Sequence, residues 1–246
     1  MPVAGMLLVA AIMLAGCAGP GPDQASDADG GLDDAEEVSE ASDAADHEDA
    51  DDGSALDADA VARTAREATL RLRGYTTTGV RTTSGSAFAV SRSRAITNAH
   101  VVVNGELWEA SSWRGGRDPV VVDHVERFDD LAVVDAGTAL PVSEPLDVAS
   151  EPAQRGDEVV AVGYPGGGRI IAEDATVQQV RSGSDDGQLA DVLVIDADTV
   201  EPGSSGGPVV NADGEAVAAV FAIDLGPPQR ALAVDLTDAT LPGATP

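Results

Sequence analysis

From Ser86 onward one rhythm repeats: a short apolar or alternating run, then a cluster of Gly, Pro, Asp or Asn. The runs are Ser86–Val90, Arg94–Thr97, Leu107–Ser112, Val120–Val125, Leu131–Asp135, Glu158–Gly163, Val192–Ala197, Ala216–Ile223 and Ala231–Leu236. Each has strand length and strand chemistry, and the Asp213-Gly214 pair in Asn211–Gly214 is a strong hairpin signal. Many short strands at such spacing predict an all-β sandwich or barrel. Ahead of them, Val61–Leu70 reads as a short helix with Asp57 or Asp59 near its N-terminus, or as a lead straight into a strand through Arg73.

The first sixty residues follow no such pattern. Val3–Gly16 is an uncharged, mostly apolar stretch of 14 residues. That suits the hydrophobic region of a signal peptide and falls short of the ~20 residues of a membrane-spanning helix. It ends in Leu14-Ala15-Gly16-Cys17, which resembles the lipobox of bacterial lipoproteins, where the cysteine thiol takes a diacylglycerol. Cys17 is the only cysteine in the chain, so no intramolecular disulfide can form. From Ala18 to Ala60 there are 16 Asp or Glu and no Lys or Arg. Such a segment cannot bury enough apolar surface to offset its ordering entropy and is expected to be a disordered spacer. The chain divides accordingly into a lipoprotein signal peptide (1–16), an acidic tether (17–60) and one domain (61–246). The expected address is the extracytoplasmic face of the cell membrane, lipid-anchored at Cys17, or the medium if Cys17 carries no lipid.

Charge sharpens the picture. The net charge is −29, of which the tether supplies −16, leaving −13 on the rest. An acidic protein without a basic patch is a poor nucleic-acid binder. No Cys/His cluster has metal-ligand spacing and no glycine-rich loop sits between strand and helix to hold phosphate, so neither metal nor cofactor is expected. With seven aromatic residues in all, the core must rest on Val, Ala, Leu and Ile.

The candidate chemistry lies in three words. Gly203-Ser204-Ser205-Gly206-Gly207-Pro208 places a serine in a sharp glycine-flanked turn that lets an acyl group approach without a Cβ in the way. Ser205 is the candidate nucleophile, and the backbone N–H groups of Gly203 and Ser205 are candidates for an oxyanion hole. Thr97-Asn98-Ala99-His100-Val101 puts His100 just past a strand end, where a general base can face a cleft. In Phe128–Val134 an acid stands immediately before a β-branched strand, with Asp130 the candidate and Asp129 its rival. His47 and His124 read as solvated or strand-surface side chains.

The order His, Asp, Ser is one convergent solution to the triad problem. With "TNAHV", "DDLAVV", "VGYPGGG" (Val162–Gly168) and "VEPGSSGGPVVNADGEAV" (Val200–Val217), residues 80 to 236 resemble the trypsin-like, chymotrypsin-fold serine peptidases. Within them the likeness is to the bacterial HtrA-type and actinobacterial membrane-associated branch. The resemblance implies a chymotrypsin-like double β-barrel of six-stranded antiparallel type, with His100 and Asp130 from the first barrel and Ser205 from the second. It implies an endopeptidase acting on proteins or peptides through an acyl-enzyme. His100 serves as base and then acid, and Asp130 orients it. The short stretch after Leu236 gives the expectation of no PDZ domain. Digestive enzymes of the family carry an acid just before the nucleophile to pair with a newly cut N-terminus; here that position is the uncharged Ser204, so the loop must be ordered by other contacts or by substrate.

The resemblance also puts the substrate pocket between Asp198–Pro202 and Val220–Ile223. Thr199, six residues before Ser205, would stand at its floor, with Val220, Phe221 and Ala222 in its wall. Those residues call for small or medium apolar side chains, with Asp198 and Asp224 the acids that could instead favour a basic one. Two other readings compete: a catalytically silent peptide-binding pseudoprotease on the same fold, and a surface lipoprotein displayed on an acidic stalk. The sequence leaves the oligomeric state open.

Overall fold

In a computed structural model the chain is described over residues 57–183, 190–237, 239 and 241. The expected leader and all but the last four residues of the expected tether lie outside them. Helix α1 (Ala58–Ala68) comes first, opened by Asp57, whose carboxylate accepts the Ala60 N–H at 3.1 Å. Its apolar face, with Val61, Ala62, Ala65 and Ala68 buried, lies on the second barrel. The helix starts three residues before the sequence expectation because the cap, rather than the first Val, sets its origin.

Strand β1 (Thr69–Tyr75) follows without a break, so both expectations for this stretch are realised in succession. With β2 (Arg81–Ala89), β3 (Arg94–Asn98), β4 (Leu107–Ser112), β5 (Arg117–Glu126) and β6 (Leu131–Asp135) it closes a barrel in the order β1-β2-β3-β6-β5-β4. A four-residue helix, α2 (Ala99–Val102), leaves the end of β3. The second barrel joins β7 (Glu158–Gly163), β8 (Ile171–Arg181), β9 (Val192–Ile195), β10 (Pro208–Val210), β11 (Ala216–Asp224) and β12 (Arg230–Asp235) in the order β10-β11-β12-β9-β8-β7. All ladders are antiparallel. These are the two closed six-stranded antiparallel barrels that the resemblance implied.

Two strands escaped the hydrophobic pattern. β8 is long but carries Glu173-Asp174 and Gln178-Gln179 in its middle, and β10 is only Pro208-Val209-Val210. Both are specified by their partners: β8 pairs β7 over six positions, and β10 lies between β7 and β11.

The core is in three parts. One cluster fills the first barrel around Leu70, Leu72 and Val134, and another fills the second around Leu193, Ile195 and Val217. The third, with Phe88, Ile96, Leu131, Val160 and Val234, is shared between the barrels and roofed by α1. Val, Ala, Leu and Ile dominate all three, and Phe88 is the largest fully buried side chain. Among the described residues no helix is long and apolar enough to cross a membrane.

Candidate active site

The segment Asn98–His100 and the residue Asp130 are laced together by four hydrogen bonds. The Ala99 N–H and Asn98 Nδ2 both donate to the Asp130 carbonyl at 2.9 Å, and the His100 N–H donates to Asp130 Oδ1 at 2.8 Å. The other carboxylate oxygen meets His100 Nδ1 at 2.5 Å. Asp130 holds a left-handed backbone, φ 53°, which lets its carbonyl and carboxylate turn to the same segment; Asp is among the few side-chain-bearing residues that visit this region readily. An acceptor on Nδ1 favours the tautomer with its proton there and leaves Nε2 as the basic nitrogen. The ring stands at the surface, with 47% of the side chain accessible, where a substrate can reach it. Asp129 points the other way: it is buried at 2% exposure and its Oδ1 accepts the Ala190 N–H.

Ser205 sits on the loop between β9 and β10, half-buried, with its carbonyl accepting the Ser86 N–H at 2.8 Å. Along this loop the N–H groups alternate in use. Those of Ser204, Gly206 and Gly207 donate to Glu201, Val220 and Ser204 carbonyls. Those of Gly203 and Ser205 find no acceptor among the described residues. The turn is possible only with glycine at 206: φ is 85°, and a Cβ there would collide with the Ser86 carbonyl and stand 2.5 Å from Thr97 Oγ1. A Cβ at Gly85 would touch both the Val101 methyls and the Ser205 carbonyl, so the residue after His100 and the main chain of Ser205 converge on one point of β2. The His100 ring and Ser205 Oγ share no hydrogen bond; such bonds commonly tighten only when substrate is bound.

A family model described as the trypsin-like peptidase domain matches residues 85–218, more than half of the chain and all three words. The chain belongs to the trypsin-like peptidase family. Serine protease Rv3671c of Mycobacterium tuberculosis is 32% identical over 174 residues, 68% of this chain and 43% of that protein. Human serine protease HTRA4 is 37% identical over 141 residues, 54% and 29% of the respective chains. The chain thus spans less than half the length of these curated relatives. A crystal structure of the active form of the Rv3671c protease superposes with a TM-score of 0.64 at 26% identity, over 75% of this chain and 87% of that one.

The trypsin-like domain shows how its pocket candidates are disposed. Thr199 is exposed, and its N–H and hydroxyl both donate to Glu173 Oε2 of β8, at 2.9 and 2.5 Å, while the Asp198 N–H donates to Oε1 at 2.7 Å. Val220 is buried. Phe221 is partly buried and packs on the cluster between the barrels. Ala222 is half-exposed on the stretch of β11 beyond the point where β10 stops pairing. A narrow cleft behind the loop is lined by Thr199, Val200, Ser204, Val220, Gly163 and Glu173. The Ser204 side chain is buried here, and its Oγ meets the Glu201 N–H at 3.4 Å. Glu173 and Ser86 were invisible to sequence reasoning because each acts on a distant segment. The one local signal for Ser86 is a polar residue at the head of an apolar strand.

Proposed function

We propose that this protein is a serine endopeptidase, exported and held to the extracytoplasmic membrane face by lipid on Cys17, that cleaves peptide bonds through an acyl-enzyme on Ser205. The observation that carries the reading is the His100–Asp130 pair together with the turn Gly203–Gly207, in which only the Gly203 and Ser205 N–H groups find no acceptor among the described residues. In the proposed reaction Ser205 Oγ attacks the scissile carbonyl carbon while His100 Nε2 takes its proton. The carbonyl oxygen becomes an oxyanion held by the two N–H groups, in a site already shaped for the charge. Collapse breaks the C–N bond, and the departing amine takes the proton from His100. Water, deprotonated by the same nitrogen, then releases the acid product and restores Ser205. Asp130 stabilises the imidazolium that forms in each half-reaction without itself taking the proton.

The substrate chain would lie along Phe221–Ile223, where among the described residues β11 is paired only to β12 and offers a backbone edge. Small or medium apolar residues suit the adjoining pocket. Glu173, the acid that Thr199 meets, already accepts from three donors, and an apolar pocket of this kind discriminates by ~1–3 kcal/mol per methylene. The anchoring part rests on Leu14–Cys17, and two or three acyl chains give stable attachment where one is marginal.

Peptide hydrolysis by purified protein, lost on Ser205→Ala with the fold retained, tests the chemistry; full hydrolysis by that variant overturns it. Detergent partition of the wild type, with release of a soluble form or stalled processing on Cys17→Ser, tests the anchor. Wild-type protein wholly in the culture fluid with no lipid mass on its N-terminal peptide overturns that part.

A further inference from the structure

We infer that Arg71 is a positioning residue for the oxyanion loop, acting across the barrel interface through the turn Pro165–Gly168. The inference rests on the peptidase reading above and says what orders its loop. Ser204 brings no charge to the cleft behind the nucleophile, and its hydroxyl reaches only the Glu201 N–H, within its own loop. The support from outside comes from a different direction.

The peptide of Gly203, whose N–H finds no acceptor among the described residues, is seated on that turn. A Cβ on Gly203 would lie 2.6 Å from the Tyr164 carbonyl and 2.8 Å from the Gly167 nitrogen. The neighbouring Pro202 carbonyl accepts the Gly166 N–H at 2.8 Å. The Gly203 carbonyl accepts Ser86 Oγ at 2.8 Å, and the same hydroxyl accepts the Tyr164 N–H at 2.9 Å. Wherever the turn sits, the Gly203 peptide plane follows, and with it the direction of the N–H.

The turn cannot hold itself by packing, because Gly166, Gly167 and Gly168 have no side chains to bury. It is gripped by its carbonyls. Arg71, on β1 of the other barrel, sends Nη1 to both Gly167 O and Gly168 O at 3.2 Å, with the guanidinium 5.5 Å above the centre of the Tyr164 ring. The planar face that stacks on Tyr164 is a property of arginine that lysine does not reproduce. The path is therefore short and physical: Arg71 to the Gly167 and Gly168 carbonyls, then to Pro202 and Gly203, then to the oxyanion.

The test uses the full chain with Arg71→Ala, Arg71→Lys and Ser86→Ala. For each, the kcat and KM for a peptide, the rate of labelling by a fluorophosphonate and the thermal midpoint are measured. Outright loss of an oxyanion donor costs ~10²–10³ in kcat, so displacing one through Arg71→Ala is expected to lower kcat and labelling by roughly 10–100-fold. KM should stay within about threefold of wild type. Lysine should recover part of the rate. Guanidinium ion at tens of millimolar should restore Arg71→Ala but not Ser86→Ala. If Arg71→Ala does not fold, Arg71→Met keeps the stem over Tyr164 and is read in the same way. Wild-type rates in Arg71→Ala, or rate loss that only tracks unfolding in Arg71→Ala and Arg71→Met alike, overturn the inference. Wild-type protein that fails to label at all instead overturns the peptidase reading beneath it.

Discussion

At the scale of single residues the site is a set of backbone exceptions made useful. Asp130 takes a left-handed conformation and thereby offers three oxygens to Asn98–His100. Asp130→Asn keeps the shape and removes the charge that stabilises an imidazolium in the proposed mechanism, so kcat is expected to fall on the order of 10⁴-fold with the thermal midpoint little changed. Steady-state kinetics beside a melting curve check this, and a kcat near wild type would remove Asp130 from the mechanism. Gly206→Ala combines left-handed strain with a collision against the Ser86 carbonyl. It is expected to cost about 3 kcal/mol or more, read as a lowered urea midpoint. His100, Asp130 and Ser205 could be picked out from the sequence because each sits in a compact word whose local geometry is already decided. Ser86, Glu173 and Arg71 could not. Their partners lie 117, 26 and 96 positions away, and only the closed barrels bring them together.

At the scale of elements, periodicity located the strands that bury one face and missed those whose specification lies elsewhere. β4, β6 and β7 fall on the expected boundaries residue for residue, since their apolar runs end at turn residues. β8 breaks its own alternation with acids and amides, one of which, Glu173, is placed opposite Ala161 to reach Thr199. Its polarity is the cost of holding the pocket loop. Helix α1 shows how tightly the shared roof is packed. Ala65 is fully buried against the second barrel, so Ala65→Leu is expected to destabilise by ~1–3 kcal/mol through overpacking. The exposed cap change Asp57→Ala is expected to cost ~1 kcal/mol. Equilibrium denaturation of the two variants would separate them, and equal small losses would mean that the helix is only loosely docked.

At the scale of the whole molecule, two barrels meet over a shared core and the candidate chemistry lies where they join. Tyr164, at that junction, reports on it. Burial raises its hydroxyl from the usual 10.0 to about 12, partly opposed by the nearby Arg71 charge. Unfolded tyrosine loses its proton near about pH 10, so between about pH 10 and 12 the folded state binds more protons and stability falls as pH rises. Tyr164→Phe is expected to flatten that decline, read as urea midpoints near about pH 9 and about pH 11. An identical slope in wild type and variant would place the phenol in water. The proposed chemistry at Ser205 is tested most directly by a covalent probe. The wild-type protein is treated with a fluorophosphonate, digested with a second protease, and its peptides weighed. A single adduct on Ser205, formed at roughly one per chain and lost on His100→Ala, is the predicted result. An unmodified Ser205 in folded protein, or an adduct carried by a different residue, would contradict it.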